Sequence, residues 1–363
     1  MKGFFAAGML LLLSACASAQ TATPPAGAAQ SSVPSPAQAA PQSQKPQVGV
    51  RVITNVVLVP VTVKDARGDL VPDLEQSDFR IFQDDKEQQI RNFWDQPFPI
   101  SAVVLLDDDL PNNESQSVLK SLDSIAAGFS ASDEVALVRF DEYPKTVMDF
   151  TASNDALFAK LKEIRTNPKE GLDSRIPGTP SPTIMSPPLI NGHTLGGTSD
   201  IPVLGTSNNG VTKHIDDAVH YAADMLRTRG RDRRKIIFIV SDGTNDRHNQ
   251  WSFNSTLQLL LSSNVSVYAV SVSSVADTLM LRGKGRLGQY AVPTGGDVVS
   301  ASSPEQMEAL YSKLTEEARN QYTLGFEPTR TVGRGNCHSL DVRVERPGLA
   351  VTARSGYCAP FPR

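Results

Sequence analysis

The segment KIIFIVSDG, residues 235–243, is the clearest indication of the fold of this chain. Its uninterrupted apolar run predicts a strand that is buried on both faces, as in the centre of a parallel sheet. A second segment, ISAVVLLDDD at residues 100–109, has the same form and also ends in acidic residues. Because parallel strands need helical crossovers that cover both faces of the sheet, the two segments predict a doubly wound α/β domain.

The rest of residues 99–320 alternates between short apolar runs and amphipathic stretches, which is typical of a doubly wound, mostly parallel sheet. Further strands are predicted at 135–140, 146–150, 265–272 and 298–299, with 146–150 as the hairpin partner of 135–140. Helices are predicted around 118–129, after a cap at Asn154 or Asp155, and around 215–226, 251–261 and 307–318. We therefore expect a sheet of about six strands, with helices on both faces.

Short β segments flank this domain on both sides. In the N-terminal segment, residues 50–98, strands are predicted at 51–63, 78–82 and 88–94, and Pro60 favours an edge position because proline lacks a backbone donor. In the C-terminal segment, residues 321–363, strands are predicted at 322–326, 338–345 and 349–354, with the last two joined as a hairpin. A small antiparallel β unit is therefore expected before the main domain.

The C-terminal hairpin predicts a disulfide. If Pro347 and Gly348 are the turn residues, Cys337 and Cys358 face each other at a distance that permits the bond. Pro-Gly favours a type II turn, which suits a two-residue hairpin poorly, so a slipped register with two free buried thiols is the alternative. An exported location would supply the oxidising conditions that the bond needs.

The N-terminus predicts export. Lys2 precedes an apolar run from Phe4 to Leu13 that is too short to span a bilayer. Two cleavage patterns compete. Cleavage after Ala19 would give a signal peptide at 1–19 and a periplasmic or secreted protein. The segment LSAC at 13–16 instead resembles the lipobox of bacterial lipoproteins, which implies lipidation of Cys16 and an outer-membrane location.

The overall composition limits the class of protein. The chain has 363 residues, of which 40% are hydrophobic, and this is enough for a sizeable core. Its formal net charge of −4 is too near balance to suggest a nucleic-acid partner. Many of its 25 Pro lie in two places. Residues 20–49 are predicted to be an unfolded linker, and the long insertion at 167–211 is expected to be a functional surface loop or disordered.

Several motifs together resemble von Willebrand factor type A (VWFA) domain proteins, and more specifically a bacterial family of VWFA-related proteins. They are the strand that ends in Asp107, VVLVPVTV at 56–63, the pattern G…VPDL…DF at 68–79, QYTLGF at 321–326 and RSGY at 354–357. The resemblance covers roughly residues 51–357. It implies a type A domain, residues 99–320, bracketed by β segments that pack together as one module.

The resemblance also implies a divalent cation site, for example for Mg²⁺, at the carboxyl end of the sheet. Asp107 and Asp242 match the aspartates of the family's first and third loops, whereas Asp109 replaces a serine of the first loop. The threonine of the second loop is ambiguous, because Thr212 begins a helix and Thr198 lies in a Gly-Gly-Thr pattern. We therefore expect a degenerate site formed by Asp107, Asp109, Thr212 and Asp242.

Two other interpretations of this site stay open. The family's usual spacing places Lys213, rather than Thr212, at the threonine position, so the Lys213 ammonium would replace the metal and offset repulsion among Asp107, Asp109 and Asp242. In the other interpretation metal binding has been lost, and Thr212 only caps a helix.

Motifs of enzyme chemistry are missing from the sequence. It has no Gly-x-Ser-x-Gly elbow, Walker loop, His-Glu-x-x-His or Cys-x-x-Cys. Residues 283–288 match Gly-x-Gly-x-x-Gly, but we predict no strand directly before them and no amphipathic helix after them, so no nucleotide is expected. His214 and His220 lie too far apart on one helix to form a zinc pair.

The sequence therefore favours a non-enzymatic protein of the cell envelope, attached to the membrane only through a lipid anchor. The carboxyl end of its sheet is expected to bind an unidentified protein partner, because ligands of open α/β sheets bind there. A structural module that has lost its metal is the alternative, and an α/β oxidoreductase or hydrolase is a third hypothesis.

Overall fold

The computed structural model describes residues 56–168, 213–272, 285–328 and 336–359, and the backbone of 189–190 and 193–194. All of them belong to one compact unit. The predictions for the signal peptide, for Cys16, for the linker and for most of the 167–211 insertion lie outside the described residues.

The strands are β1 Val57–Lys64, β2 Phe79–Gln83, β3 Lys86–Gln88, β4 Ile90–Trp94, β5 Ile100–Asp107, β6 Glu134–Phe140, β7 Pro144–Thr151, β8 Leu189–Ile190, β9 His193–Thr194, β10 Arg234–Ser241, β11 Val265–Ser271, β12 Val298–Ser300, β13 Tyr322–Phe326, β14 Cys337–Val344, β15 Ala350–Ala353 and β16 Gly356–Cys358. The helices are α1 Asn112–Ser121, α2 Asp123–Ala127, α3 Asn154–Thr166, α4 Ile215–Arg227, α5 Phe253–Ser263, α6 Arg286–Ala291 and α7 Pro304–Arg319, with a 3-10 turn at Gln76–Asp78. None of these helices is long and apolar enough to cross a membrane.

The main sheet has six strands in the order β12-β11-β10-β5-β6-β7. Every neighbouring pair is parallel except β6 and β7, which form the predicted antiparallel hairpin. The two apolar segments from which this fold was predicted, now β5 and β10, are adjacent in the sheet. The doubly wound, mostly parallel α/β prediction is therefore confirmed.

Helices cover both faces of this sheet, as the continuous apolar strands require. Alternate residues of β5 point to opposite faces: Val104 joins a cluster with residues of α1, α2, α3 and α7, whereas Val103 joins a cluster with residues of α4, α5 and α6.

Two local predictions for these helices were inexact. The helix expected over 118–129 is divided into α1 and α2, and Ser153, rather than Asn154 or Asp155, caps α3 by accepting a hydrogen bond from the Ala156 N–H.

The β module is built from both flanking segments, as expected. One four-stranded sheet has the order β15-β1-β13-β4, and the other has the order β16-β14-β2-β3. Apolar side chains from both sheets, including Val61, Ile81, Leu324 and Val342, form one buried cluster. The module thus has its own core, separate from the two cores of the main sheet.

The structure corrects three predictions within this module. Strand β1 is internal, so Pro60 does not lie on an edge strand; the β1–β15 ladder begins only at Val61, which leaves that side of Pro60 unpaired. The strand expected at 88–94 is divided between β3 and β4, which belong to different sheets. The segment around 349–354 pairs with β1 and not with β14, because the chain crosses to the other sheet after the turn.

The predicted disulfide is present despite the broken hairpin. Cys337 and Cys358 are paired in register between β14 and β16, and their Cα atoms lie 4.0 Å apart. The register deduced from the Pro347-Gly348 turn is therefore correct at its far end, although the strand residues in between pair elsewhere.

Candidate functional site

A buried ion-pair cluster lies at the carboxyl end of the main sheet. The Lys213 Nζ atom is 2.7 Å from Asp242 Oδ2 and 3.3 Å from Asp107 Oδ2. The side chains of Lys213 and Asp107 are 3% and 0% exposed, whereas that of Asp242 is 15% exposed. One ammonium thus lies between two carboxylates and is almost closed off from solvent.

The topology brings these three residues together. Asp107 is the last residue of β5 and Asp242 follows β10, and these strands are neighbours. Lys213 lies two residues before α4, where the chain is held on both sides: the His214 N–H donates to the Asp141 carbonyl, and the Asp246 N–H donates to the Lys213 carbonyl. The position of the ammonium is therefore set by backbone hydrogen bonds to two other loops.

Further hydrogen bonds orient the carboxylates. The Ser241 hydroxyl donates to Asp107 Oδ2 at 2.6 Å, and the Asp109 N–H donates to Asp107 Oδ1 at 3.0 Å. The Thr244 N–H donates to Asp242 Oδ1 at 2.8 Å. Gly243 has a φ of +83°, a conformation that favours glycine, and it turns the loop so that these contacts form.

Burial governs the ionisation of the cluster. It raises the pKa of Asp107 to about 6, against the opposing effects of Lys213 and of the Ser241 hydrogen bond. Burial would lower the pKa of Lys213, but the attraction and hydrogen bonds of Asp107 and Asp242 outweigh it and raise that pKa. The lysine therefore stays charged, and Asp107 is the group that responds to pH.

A second ion pair lies beside the first. Arg139 Nη2 is 2.7 Å from Asp108 Oδ1, and Arg139 also donates to the Pro168 carbonyl. Burial raises the pKa of Asp108 to about 7, and the guanidinium opposes this rise. The first two residues of the acidic loop are thus each paired with a different cation.

The structure brings together only part of the predicted metal site. Asp107 and Asp242 meet as expected, but the Asp109 side chain is exposed, and its residue contributes a backbone N–H. Thr212 and Thr198 lie outside the described residues. Among the residues that are described, no group of three or more His, Cys, Asp or Glu side chains could hold a metal ion. An ammonium at 2.7 Å and 3.3 Å from the carboxylates also repels a cation, so the arrangement does not fit a divalent ion.

Exposed aromatic side chains surround the first turns of α4. Tyr143, in the β6–β7 turn, is 54% exposed, and its ring lies edge-on to His214 at 6.3 Å. Trp251 is 47% exposed and stacks on His220 at 3.8 Å. The backbone N–H of Trp251 donates to Asp217 Oδ1, so this loop is tied to α4. Neither aromatic was among the residues predicted for the site, although a large aromatic in a loop that follows a sheet strand is a usable signal.

The glycine-rich stretch has a structural role. A helix, α6, begins at Arg286, which corrects the expectation that none opens there. Arg286 Nε lies 3.3 Å from Asp216 Oδ1, and the buried Tyr290 hydroxyl donates to the same carboxylate at 2.8 Å. The described part of the stretch thus packs α6 against α4.

No family model and no curated protein matches the chain. Solved structures that resemble it include a von Willebrand factor type A protein from Catenulispora acidiphila, at 9% identity and a TM-score of 0.40, over 78% of this chain and 74% of that one. Proximal thread matrix protein 1 from the mussel byssus has 13% identity and a TM-score of 0.39, over 61% of this chain and 48% of its own, and one of its structures has a zinc-occupied MIDAS motif.

BatB from Bacteroides thetaiotaomicron has 12% identity and a TM-score of 0.37, over 60% of this chain and 98% of its own. This chain therefore matches about half of the mussel protein and nearly all of BatB. The doubly wound, mostly parallel sheet that the resemblance implies is confirmed by the order and direction of the strands. Similarities this remote assign neither a ligand nor an activity.

Proposed function

We propose that this chain is a cell-envelope protein whose type A-like domain binds a protein partner without a resident metal ion. The observation that carries the proposal is the buried Lys213 ammonium between Asp107 and Asp242. It supplies the positive charge that a divalent cation would bring to these carboxylates. A partner therefore has no open metal coordination position to fill with its own carboxylate.

The binding surface in this proposal consists of Tyr143, Trp251 and the first turns of α4. Exposed Tyr and Trp side chains that are already held by neighbours lose little conformational entropy on binding, and such residues dominate the energetics of many interfaces. Here Tyr143 packs on His214 and Trp251 stacks on His220. Burial lowers the pKa of His220, so at neutral pH its ring is uncharged beneath the indole.

The experiment is affinity capture from an envelope extract with and without EDTA, using the wild type, Trp251→Ala, Tyr143→Ala and Phe158→Ser. Phe158 is the matched control, because it is 45% exposed but lies on α3. We expect one specific partner that is retained in EDTA, retained by Phe158→Ser and lost by Trp251→Ala. Loss in EDTA would show a metal-dependent site instead. A partner that all variants retain would contradict the proposed surface, and no partner at all would favour the structural module.

Export and lipid anchoring at Cys16 are part of the same proposal, and they rest on the N-terminal sequence alone. Metabolic labelling with a fatty acid tests them: the wild type is expected to take up label and Cys16→Ser is not. An unlabelled protein cut after Ala19 would instead be a released one. The enzyme hypothesis predicts nucleotide binding or reaction with an active-site probe, and we expect neither.

A further inference from the structure

Carboxylates lie beside the exposed tyrosine at the carboxyl end of the main sheet. Tyr143 is 54% exposed in the β6–β7 turn, and its backbone N–H donates to Asp141 Oδ1 at 3.1 Å. The neighbouring Glu142 is exposed, and its negative charge is the main reason why the pKa of the Tyr143 hydroxyl is raised. The exposed phenol ring therefore has two acidic neighbours.

The exposed indole of Trp251 also lies near carboxylates. Asp217 accepts the backbone N–H of Trp251 at 2.8 Å. Burial lowers the pKa of His220, the ring on which the indole stacks, and the negative charges of Asp224 and Asp217 oppose that effect. Asp224 is 53% exposed and pairs with Arg227. Both exposed aromatics are therefore placed among acidic side chains.

The described loops at this end of the sheet share that charge. The loops that follow β5, β6 and β10 are residues 108–111, 141–143 and 242–252. They contain one basic residue, Arg247, and six acidic residues, which are Asp108, Asp109, Asp141, Glu142, Asp242 and Asp246.

Most of these carboxylates are not neutralised by a buried cation. Arg139 and Lys213 each pair with one carboxylate of these loops, at 2.7 Å in both cases. Asp109, Asp141 and Glu142 form no ion pair with a described residue. The Lys213 side chain is 3% exposed, so its charge is hidden from an approaching molecule. The charge that faces solvent here is therefore negative.

The chain segments that adjoin this end leave the sign of the charge unchanged. Residues 169–212 and 273–284, which lie outside the described residues, together contain four acidic and four basic residues. Lys145, at the start of β7, and Arg247 are exposed basic residues, but they are fewer than the acidic ones. Such a surface attracts a basic partner and repels an acidic one.

We propose that the partner presents a basic segment whose arginine side chains stack on Tyr143 and Trp251 and pair with Glu142. This inference rests on the proposed function and adds the chemistry of the partner to it. A guanidinium group is planar and weakly hydrated, so it can stack on an aromatic ring while it pairs with a carboxylate. A partner carboxylate would instead meet exposed negative charge, because the ammonium between Asp107 and Asp242 is buried.

The test uses three synthetic peptides of equal length, in which arginine, lysine or glutamate alternates with glycine and serine. Calorimetry measures their binding to the purified full chain. We expect the arginine peptide to bind more tightly than the lysine peptide, because only guanidinium stacks well on aromatic rings, and the glutamate peptide to give no heat. Raising NaCl from about 50 to 500 mM is expected to weaken the binding, because salt screens exposed charges.

Variants assign the binding to this surface. Trp251→Ala and Tyr143→Ala are each expected to weaken binding of the arginine peptide about tenfold, as the loss of an interface anchor does. Glu142→Gln is expected to weaken it about two- to fivefold, because one exposed charge pair contributes little. Asp155→Asn is the matched control and is expected to bind as the wild type does. Asp155 is an exposed acid in the first turn of α3, which begins where β7 has returned to the amino end of the sheet.

Three results would overturn the proposal: tighter binding of the glutamate peptide, no binding of the arginine peptide, or equal binding of the arginine peptide by the wild type and all variants. Competition with the captured partner separates this inference from the proposed function. Displacement of that partner by the arginine peptide would support both. Displacement by the glutamate peptide alone would overturn the basic partner and leave the proposed function standing, whereas capture of no partner would overturn both.

Discussion

A buried cation lies at each end of the parallel sheet, and the two cations have different kinds of partner. At the carboxyl end, the Lys213 ammonium lies between the carboxylates of Asp107 and Asp242. At the amino end, the Arg234 guanidinium has the oxygens of Gln321 and the ring of Phe98. The difference shows that burial alone does not tell whether a charge is satisfied. Lys213 is held by attraction to two carboxylates, whereas Arg234 is held by hydrogen bonds to neutral oxygens and by the face of an aromatic ring.

The largest effect is expected from Lys213→Met. This variant leaves two carboxylates facing each other in a buried site, and breaking a buried ion pair on one side costs about 3–5 kcal/mol of unfolding free energy. Denaturant unfolding measures it. The matched control is Lys235→Met at the amino end, where the ammonium has only a carbonyl partner, so a loss of about 1 kcal/mol or less is expected. Equal losses in the two variants would show that the carboxylate partners of Lys213 make no difference to its contribution.

The second effect concerns pH. Asp107 has a pKa of about 6 in the folded protein and 3.8 in the unfolded chain, so the folded state holds this proton more tightly. The free energy of unfolding therefore falls as pH rises from about 4 to 6, and Asp107 causes no further change above that pH. Asp133, at the amino end, has a lowered pKa: burial acts to raise it, but the Arg319 pair and the N–H donors of Ser130 and Ile100 outweigh that effect. Its stabilising contribution is present above about pH 4 and is lost as pH falls further.

Unfolding free energies of Asp107→Asn and Asp133→Asn, measured from pH 3 to 7, check these signs. Relative to the wild type, Asp107→Asn is expected to gain on the order of 2 kcal/mol between about pH 4 and 7. Asp133→Asn is expected to be less stable at pH 7 and to approach the wild type in acid. Profiles parallel to that of the wild type would show that neither carboxyl titrates as described.

A smaller effect is expected from Arg234→Met. The variant removes a charge that lacks a counterion but leaves the Gln321 side-chain oxygen without its donor, so the two changes partly cancel and about 1–2 kcal/mol is lost. The same unfolding experiment measures this loss. A loss as large as that of Lys213→Met would mean that Gln321 and the Phe98 ring stabilise the guanidinium as well as carboxylates would.

The smallest effect is that of Mg²⁺. We expect no change in the wild-type Tm when Mg²⁺ is added and no heat of binding by calorimetry, because the Lys213 ammonium repels a divalent cation. Lys213→Thr removes that charge and adds a hydroxyl oxygen, and it is expected to bind Mg²⁺ and to gain Tm. If it shows no gain, the idea that Lys213 replaces a metal is wrong.

The sequence predicted the main sheet well, because continuous apolar runs such as 236–240 have few alternative structures. It predicted the β module less well. Alternation shows which face of a strand is buried but not which strand it pairs with, so 349–354 was assigned to the wrong neighbour. In the site, family spacing identified Lys213, since a single lysine stands at a position expected to hold threonine.

Other functional candidates were missed for physical reasons. Arg234 begins the most apolar strand, but its partners are Gln321 and the Phe98 ring, which lie far from it in the sequence. The sequence places Tyr143 and Trp251 in loops, but how far each ring is exposed is likewise a tertiary property.

The pairing of β1 has a consequence for the order in which the chain can fold. Its hydrogen-bonded neighbours are β13 and β15, so Val57 meets Phe326 and Val61 meets Ala353. Nearly the whole described chain must be synthesised before β1 finds a partner, whereas the strands of the main sheet can pair earlier. Until then the apolar face of β1 is exposed, and such segments favour aggregation. A chain truncated before β13 would keep the residues of the main sheet but lose the pairing of β1 with β13, which joins the two ends of this region.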